Sequence, residues 1–107
     1  MPVIKGISGS RGRKTGIAKV IFSLDDVVDF NLGDVLVTKA TNPSWTPLIH
    51  TASAVVTDLG GSLSHAAIVC REYGKPAVVG TKKGTKEIKN DKKITVDGTK
   101  GLVLVKN

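Results

Sequence analysis

The spacing of apolar residues changes along the chain, and each change predicts an element. "GIAKVIF" (Gly16 to Phe22) alternates and is rich in β-branched residues, so it predicts a strand. "GDVLVTK" (Gly33 to Lys39) is a short apolar run entered through a Gly-Asp turn, and predicts a second. In "TNPSWTPLIHTAS", Asn42 before Pro43 predicts a helix N-cap with proline in the first helical position. That helix runs to about His50 and is kept short by Pro47. "SAVVTD" (Ser53 to Asp58) predicts a short buried strand, broken by Gly60 and Gly61. From Ser64 the period becomes helical, with Ala66, Val69, Cys70 and Tyr73 at i, i+3, i+4 and i+7. Gly74 ends that helix as its C′ residue and Pro76 follows. "AVVG" (Ala77 to Gly80) predicts the next strand, and "KITVDGTKGLVLV" (Lys93 to Val105) a hairpin turning at Asp97-Gly98-Thr99-Lys100.

Strand, turn, helix and strand in succession from Ser53 to Gly80 form a βαβ unit, hence two parallel strands with a right-handed crossover. The expected fold is α/β: a small β-rich body with a mixed sheet, an embedded βαβ unit and few helices to cover it. No linker or repeat divides the chain, so residues 1–107 are expected to form one domain.

Composition narrows the setting. Aromatics make up only 4% of residues, so packing rests on aliphatic side chains and little surface is available for stacking bases. Cys70 is the sole cysteine, which excludes an intramolecular disulfide. The first residues, "MPVIKGISGSRGRKTG", lack the apolar run of a signal peptide, and no stretch approaches a membrane span of ~18 apolar residues. The expected location is the reducing cytoplasm.

The formal charge of +7 is unevenly spread. Residues 1–20 carry five basic and no acidic side chains, residues 21–80 three basic and six acidic, and residues 81–107 eight basic and three acidic. The lysine-rich "KKGTKEIKNDKK" is interrupted by Gly, Glu and Asp and has no interleaved aromatics, so it reads as a solvated loop or edge. Thermal adaptation or docking to an acidic partner fits equally well, and nucleic acid is the least favoured partner.

The chemistry concentrates in "TDLGGSLSHAAIVCREYGKPAVVGT", Thr57 to Thr81. His65 falls at the first turn of the predicted helix, with Ser64 or Ser62 as N-cap. Unpaired N–H groups and the positive end of the helix dipole favour an anion there. Gly60 and Gly61 allow a bulky charged group close to the main chain, and Ser62 and Ser64 can donate hydroxyl hydrogen bonds. The same dipole disfavours imidazolium and favours the neutral, nucleophilic ring. A neutral nucleophile in an anion cradle suits phosphoryl acceptance. On residue chemistry alone, a histidine that merely starts a helix stays open. A serine-hydrolase elbow does not fit, because Gly60-Gly61-Ser62-Leu63-Ser64 ends in serine. Neither a P-loop nor a metal site fits: no Lys-Ser/Thr follows the glycines, and His50, Asp58, His65 and Cys70 have no recognised ligand spacing.

"GGSLSHAAIVCREYGKPAVVGT" closely resembles the phosphohistidine signature of the phosphoenolpyruvate-utilising enzymes, among them phosphoenolpyruvate synthase, pyruvate phosphate dikinase and the rifampicin phosphotransferases. "GDVLV", "NPSWTPLI", "VVTD" and the closing "ITVDGTKGLVLV" resemble the remainder of that family's mobile domain, so the likeness spans nearly the whole chain. The resemblance implies a swivelling β/β/α carrier. Its histidine, matched by His65, takes a phosphoryl group at one active site and delivers it at another. Gly60, Gly61 and Ser64 match the cradling turn. Arg71 matches a basic helix position for which ion pairing or docking is expected. The resemblance also implies an ATP-grasp nucleotide-binding domain and a phosphoenolpyruvate- or pyruvate-binding domain as partners. Mg-ATP or phosphoenolpyruvate would bind there, with no cofactor or metal in this domain.

Two positions depart from the family pattern. Leu63 stands where plant-type dikinases have a regulatory threonine, so control by its phosphorylation is not expected. Cys70 replaces a smaller residue and is expected to be an inert buried thiol. Neither a nucleotide-binding loop nor a barrel fits within 107 residues, so the chain is expected to need separate catalytic domains. It is either a free-standing carrier, which Met1 directly before the domain favours, or one domain of a longer chain. The alternative is a non-catalytic docking or regulatory module on the same fold. Trp45 is expected in the core and His50 at a helix end, neither in the chemistry.

Overall fold

A computed structural model of the chain describes residues 2–106; Met1, on which the expectation of a discrete protein rests, lies outside the described residues. Eight strands alternate with three short helices. The order is β1 (Val3–Lys5), β2 (Ile7–Ser10), β3 (Arg13–Val20), β4 (Val35–Thr38), α1 (Thr46–Thr51), β5 (Ala54–Thr57), α2 (His65–Tyr73), β6 (Ala77–Val79), α3 (Gly84–Glu87), β7 (Lys93–Asp97) and β8 (Leu102–Val105). The strands form one mixed sheet in the order β1-β8-β7-β3-β4-β5-β6-β2. β3, β4, β5 and β6 run parallel to one another, and the remaining pairings are antiparallel. The βαβ unit is β5-α2-β6, with β5 and β6 adjacent and parallel.

The sheet closes on itself. β1 and β2 are a single extended segment interrupted at Gly6, yet β1 pairs with β8 at one end of the order and β2 with β6 at the other. Gly6 forms the corner: its N–H donates to the Gly101 carbonyl at 2.9 Å. A Cβ there would lie 2.7 Å from both Val78 Cγ1 and the Val79 carbonyl oxygen, so only glycine fits the crossing. β3 also serves two neighbours, pairing with β7 over Arg13–Ile17 and with β4 over Ala18–Val20.

Alternation along the strands sorts the aliphatic residues into two cores. Val35, Val37, Val56 and Val78 point inside the closed sheet with Ile94, Val96 and Val103. Leu36, Val55, Ala77 and Val79 point outward and are covered by Ile49 of α1 and by Ala66, Ala67 and Cys70 of α2. The central parallel strands are therefore buried on both faces, which is why they read as continuous apolar runs.

Local signals act much as the sequence predicts. The Asn42 side chain accepts from Ser44 N–H at 2.9 Å and caps a tight turn, Pro43–Trp45, that runs into α1. Gly74 ends α2 at φ +67°. Trp45 is buried, and His50 packs against Tyr73 with the rings tilted by 52° and their centroids 4.5 Å apart. Tyr73 is half-exposed because α2 ends there beside α1, so the expected stripe is buried at Ala66 and Cys70, partly at Val69, and least at its last member. β3 starts at Arg13, earlier than its alternation suggests, because the β7 pairing extends it. β1, β2 and α3 carry no clear periodic signal. Among the described residues no helix is long and apolar enough to cross a membrane.

Candidate functional site

Parallel strands send their carboxyl ends to one edge, where the loops that follow them converge. The loop after β4 carries Thr41. The loop after β5 runs through Gly60 and Gly61 into α2, whose first residue is His65. The two meet: Thr41 Oγ1 lies 2.7 Å from His65 Nδ1. His65 is half-buried and lines a cleft of about 130 Å³ with Ala40, Thr41, Thr57, Leu59, Gly60, Ser64 and Ala66. One ring nitrogen is thus committed to the protein.

The glycine turn sets this geometry. Gly60 has φ +100°, and a Cβ on it would come within 2.8 Å of Ser64 Cβ, so the turn needs glycine for both backbone and space. A Cβ on Gly61 would meet nothing within 4 Å, which leaves open space beside the loop. Ser64 occupies the N-cap position, but its side chain makes no capping bond; the hydroxyl donates to the Gly61 carbonyl at 2.8 Å. The expected capping role is corrected accordingly. The hydroxyl tightens the turn, and the first N–H groups of α2 are left without that side-chain partner. Ser62 is exposed; neither it nor Gly61 lines the His65 cleft.

Among the described residues Arg71 makes no ion pair, unlike one of the two roles expected of it. Its guanidinium donates to the Gly9 carbonyl at 2.6 Å and to the Ser62 carbonyl at 2.7 Å, tying the glycine loop to β2. A larger hollow of about 650 Å³ between β2 and α2 is lined by Arg11 and Arg71 but not by His65. The two hollows are therefore separate, and His65 belongs to the smaller one. Cys70 lies on the core-facing side of α2, fully buried, and burial pushes its thiol up to about 12. Asp58, following β5, is also buried; it accepts from Thr85 N–H and Thr85 Oγ1, which fixes α3 against the same edge.

Gly60, Ser64 and His65 thus come together as the sequence suggests. Thr41 was not anticipated. It precedes His65 by 24 positions, and a lone threonine ahead of an Asn-Pro cap carries no signal of its own.

Comparison with known proteins agrees with this architecture. Residues 30–101 match the family model of the PEP-utilising enzyme, mobile domain. The chain is 52% identical over 101 residues to a probable phosphoenolpyruvate synthase of Pyrococcus horikoshii, covering 94% of this chain and 12% of that protein. It is 51% identical over 100 residues to chondramide synthase of Chondromyces crocatus, covering 94% of this chain and 3% of that one. The chain thus spans only a small fraction of these relatives. A solution structure of Enzyme I shares the fold at a TM-score of 0.63 with 32% identity, over 73% of this chain and 34% of that one. At 17% identity, aconitase X of Thermococcus kodakaraensis shares the fold alone, with a TM-score of 0.77 over 100% of both chains. The chain belongs to the family of the PEP-utilising enzyme mobile domain, which carries phosphoryl groups in phosphotransfer.

Proposed function

We propose that this chain is a phosphoryl carrier in which His65 Nε2 is the acceptor atom. The observation that carries the reading is the 2.7 Å contact of Thr41 Oγ1 with His65 Nδ1 at the start of α2. With Nδ1–H donating to Thr41 Oγ1, the lone pair of the neutral ring is left on Nε2. That lone pair attacks phosphorus, the bond from phosphorus to the leaving oxygen breaks, and the leaving oxygen takes the electron pair. The proton stays on Nδ1, where Thr41 supports the charge that develops on the ring. The N–H groups opening α2 accommodate the phosphoryl oxygens. Gly60 and Ser64 shape the turn and Arg71 anchors it through Ser62.

The donors and acceptors belong to other domains: an ATP-grasp nucleotide-binding domain and a domain binding phosphoenolpyruvate or pyruvate, with Mg-ATP or phosphoenolpyruvate as substrates. The reading is tested by labelling wild type and His65→Ala with radioactive ATP or phosphoenolpyruvate in extract of the source cells. The expected product is acid-labile, base-stable and missing from the variant. Label that persists in His65→Ala removes His65 from the role. Partner capture without any label favours the non-catalytic docking module.

A further inference from the structure

Transfer from His65 requires a catalytic domain to close over its cleft, so the residues around that cleft become an interface in the act of transfer. We propose that this interface is an apolar centre made by Leu59 and Leu63 with a basic rim made by Lys39 and Lys82. It seats a catalytic-domain face that presents carboxylates around an apolar contact. This rests on the phosphoryl-carrier reading above.

Leu63 is 82% exposed and Leu59 59% exposed, the latter lining the cleft with His65. The two lysines flank the same loop in the main chain: Leu59 N–H donates to the Lys39 carbonyl at 2.9 Å, and Lys82 N–H to the Asp58 carbonyl at 2.8 Å. Both lysines are exposed, and neither makes an ion pair among the described residues. The nearby carboxylates are engaged already. Asp58 is buried and holds Thr85, and Glu87 lies 3.5 Å from Lys83. The rim is therefore net positive and complements an acidic face. Two exposed leucines at its centre favour a protein face over a free polyphosphate, which has no use for apolar contact.

Lys82 gives a separate indication. Among the described residues, three non-glycine residues have positive φ: Asp29, Asp91 and Lys82, the last at +71°. Aspartate is enriched in this region, whereas lysine is not, so glycine or asparagine would sit at position 82 with less strain. A strained residue on the rim of a reactive cleft, held by its bond to Asp58, points to a role for the side chain outside the fold.

The same strain provides the test. In Lys82→Gly the backbone preference improves while the charge is lost, so thermal unfolding is expected to stay within a few degrees of wild type. The donor is the probable phosphoenolpyruvate synthase of Pyrococcus horikoshii, supplied with radioactive ATP and separated from this chain by size. Transfer to this chain is followed as KM and kcat at low and high salt. The expected result for Lys82→Gly is a KM for the chain raised roughly threefold to tenfold, with little change in kcat and a weaker salt dependence. Leu63→Ala is expected to raise KM similarly without altering the salt dependence. Unchanged KM in either variant overturns the docking assignment and leaves the carrier reading standing. Absence of acid-labile label on the wild type overturns both.

Discussion

The parallel and antiparallel halves of the sheet share β3 and one interior core, yet the His65 cleft lies on only one of them. In the antiparallel half, β7 and β8 are joined by a tight turn over Gly98–Gly101, and β8 then pairs with β1. That turn contributes none of the residues that line the His65 cleft. In the parallel half each strand must return through a crossover, so β4, β5 and β6 deliver their connecting loops to one edge. Thr41, the glycine turn and α3 meet there. The antiparallel half closes the body, and the parallel half presents His65.

That division can be attacked from either side. The largest stability loss is expected from Ile94→Ala in the interior, where a fully buried side chain is removed. It should cost about 2–5 kcal/mol in denaturant unfolding while leaving labelling per folded molecule unchanged. A labelling defect beyond the unfolded fraction would show that the halves are coupled. Gly60→Ala is expected to do the reverse. Its φ of +100° and the 2.8 Å approach to Ser64 should cost roughly 1–3 kcal/mol in the turn and lower the labelling rate by about tenfold. Gly61→Ala, with space around it, should remain within about 0.5 kcal/mol of wild type.

Thr41→Val is expected to slow phosphorylation about tenfold with little change in stability, and Thr41→Ser to restore the rate. Nitrogen chemical shifts of the His65 ring should report a mixed tautomer in the valine variant and one dominant tautomer in wild type. Equal rates in all three would remove Thr41 from the mechanism.

The smallest effect concerns Cys70. Its thiol is pushed up by burial from 9.0 to about 12, so the folded state keeps a proton that the unfolded state releases. The stabilising contribution is present below pH 9, falls as pH rises and is lost by about pH 12. Alkylation at pH 8 should therefore require unfolding, and rapid modification of the folded chain would contradict its burial.

The amino-acid sequence alone determined whatever rests on neighbours a few positions apart. The 3.6-residue stripe and Gly74 delimit α2, Asn42-Pro43 starts the helical turn before α1, and the βαβ order follows from apolar runs punctuated by glycine. His65 at a helix start is likewise a local pattern, legible with its glycine turn. Long-range placement was decided by the tertiary structure. "VIKGISGS" shows no period, because its two halves join opposite ends of the sheet around Gly6. Thr41 becomes the partner of His65 only because β4 and β5 are adjacent and parallel. Lys39 and Lys82, 43 positions apart, flank one loop for the same reason. Periodicity records which face of an element is buried; which distant residues share an edge depends on strand order, and strand order exists only once the sheet has closed.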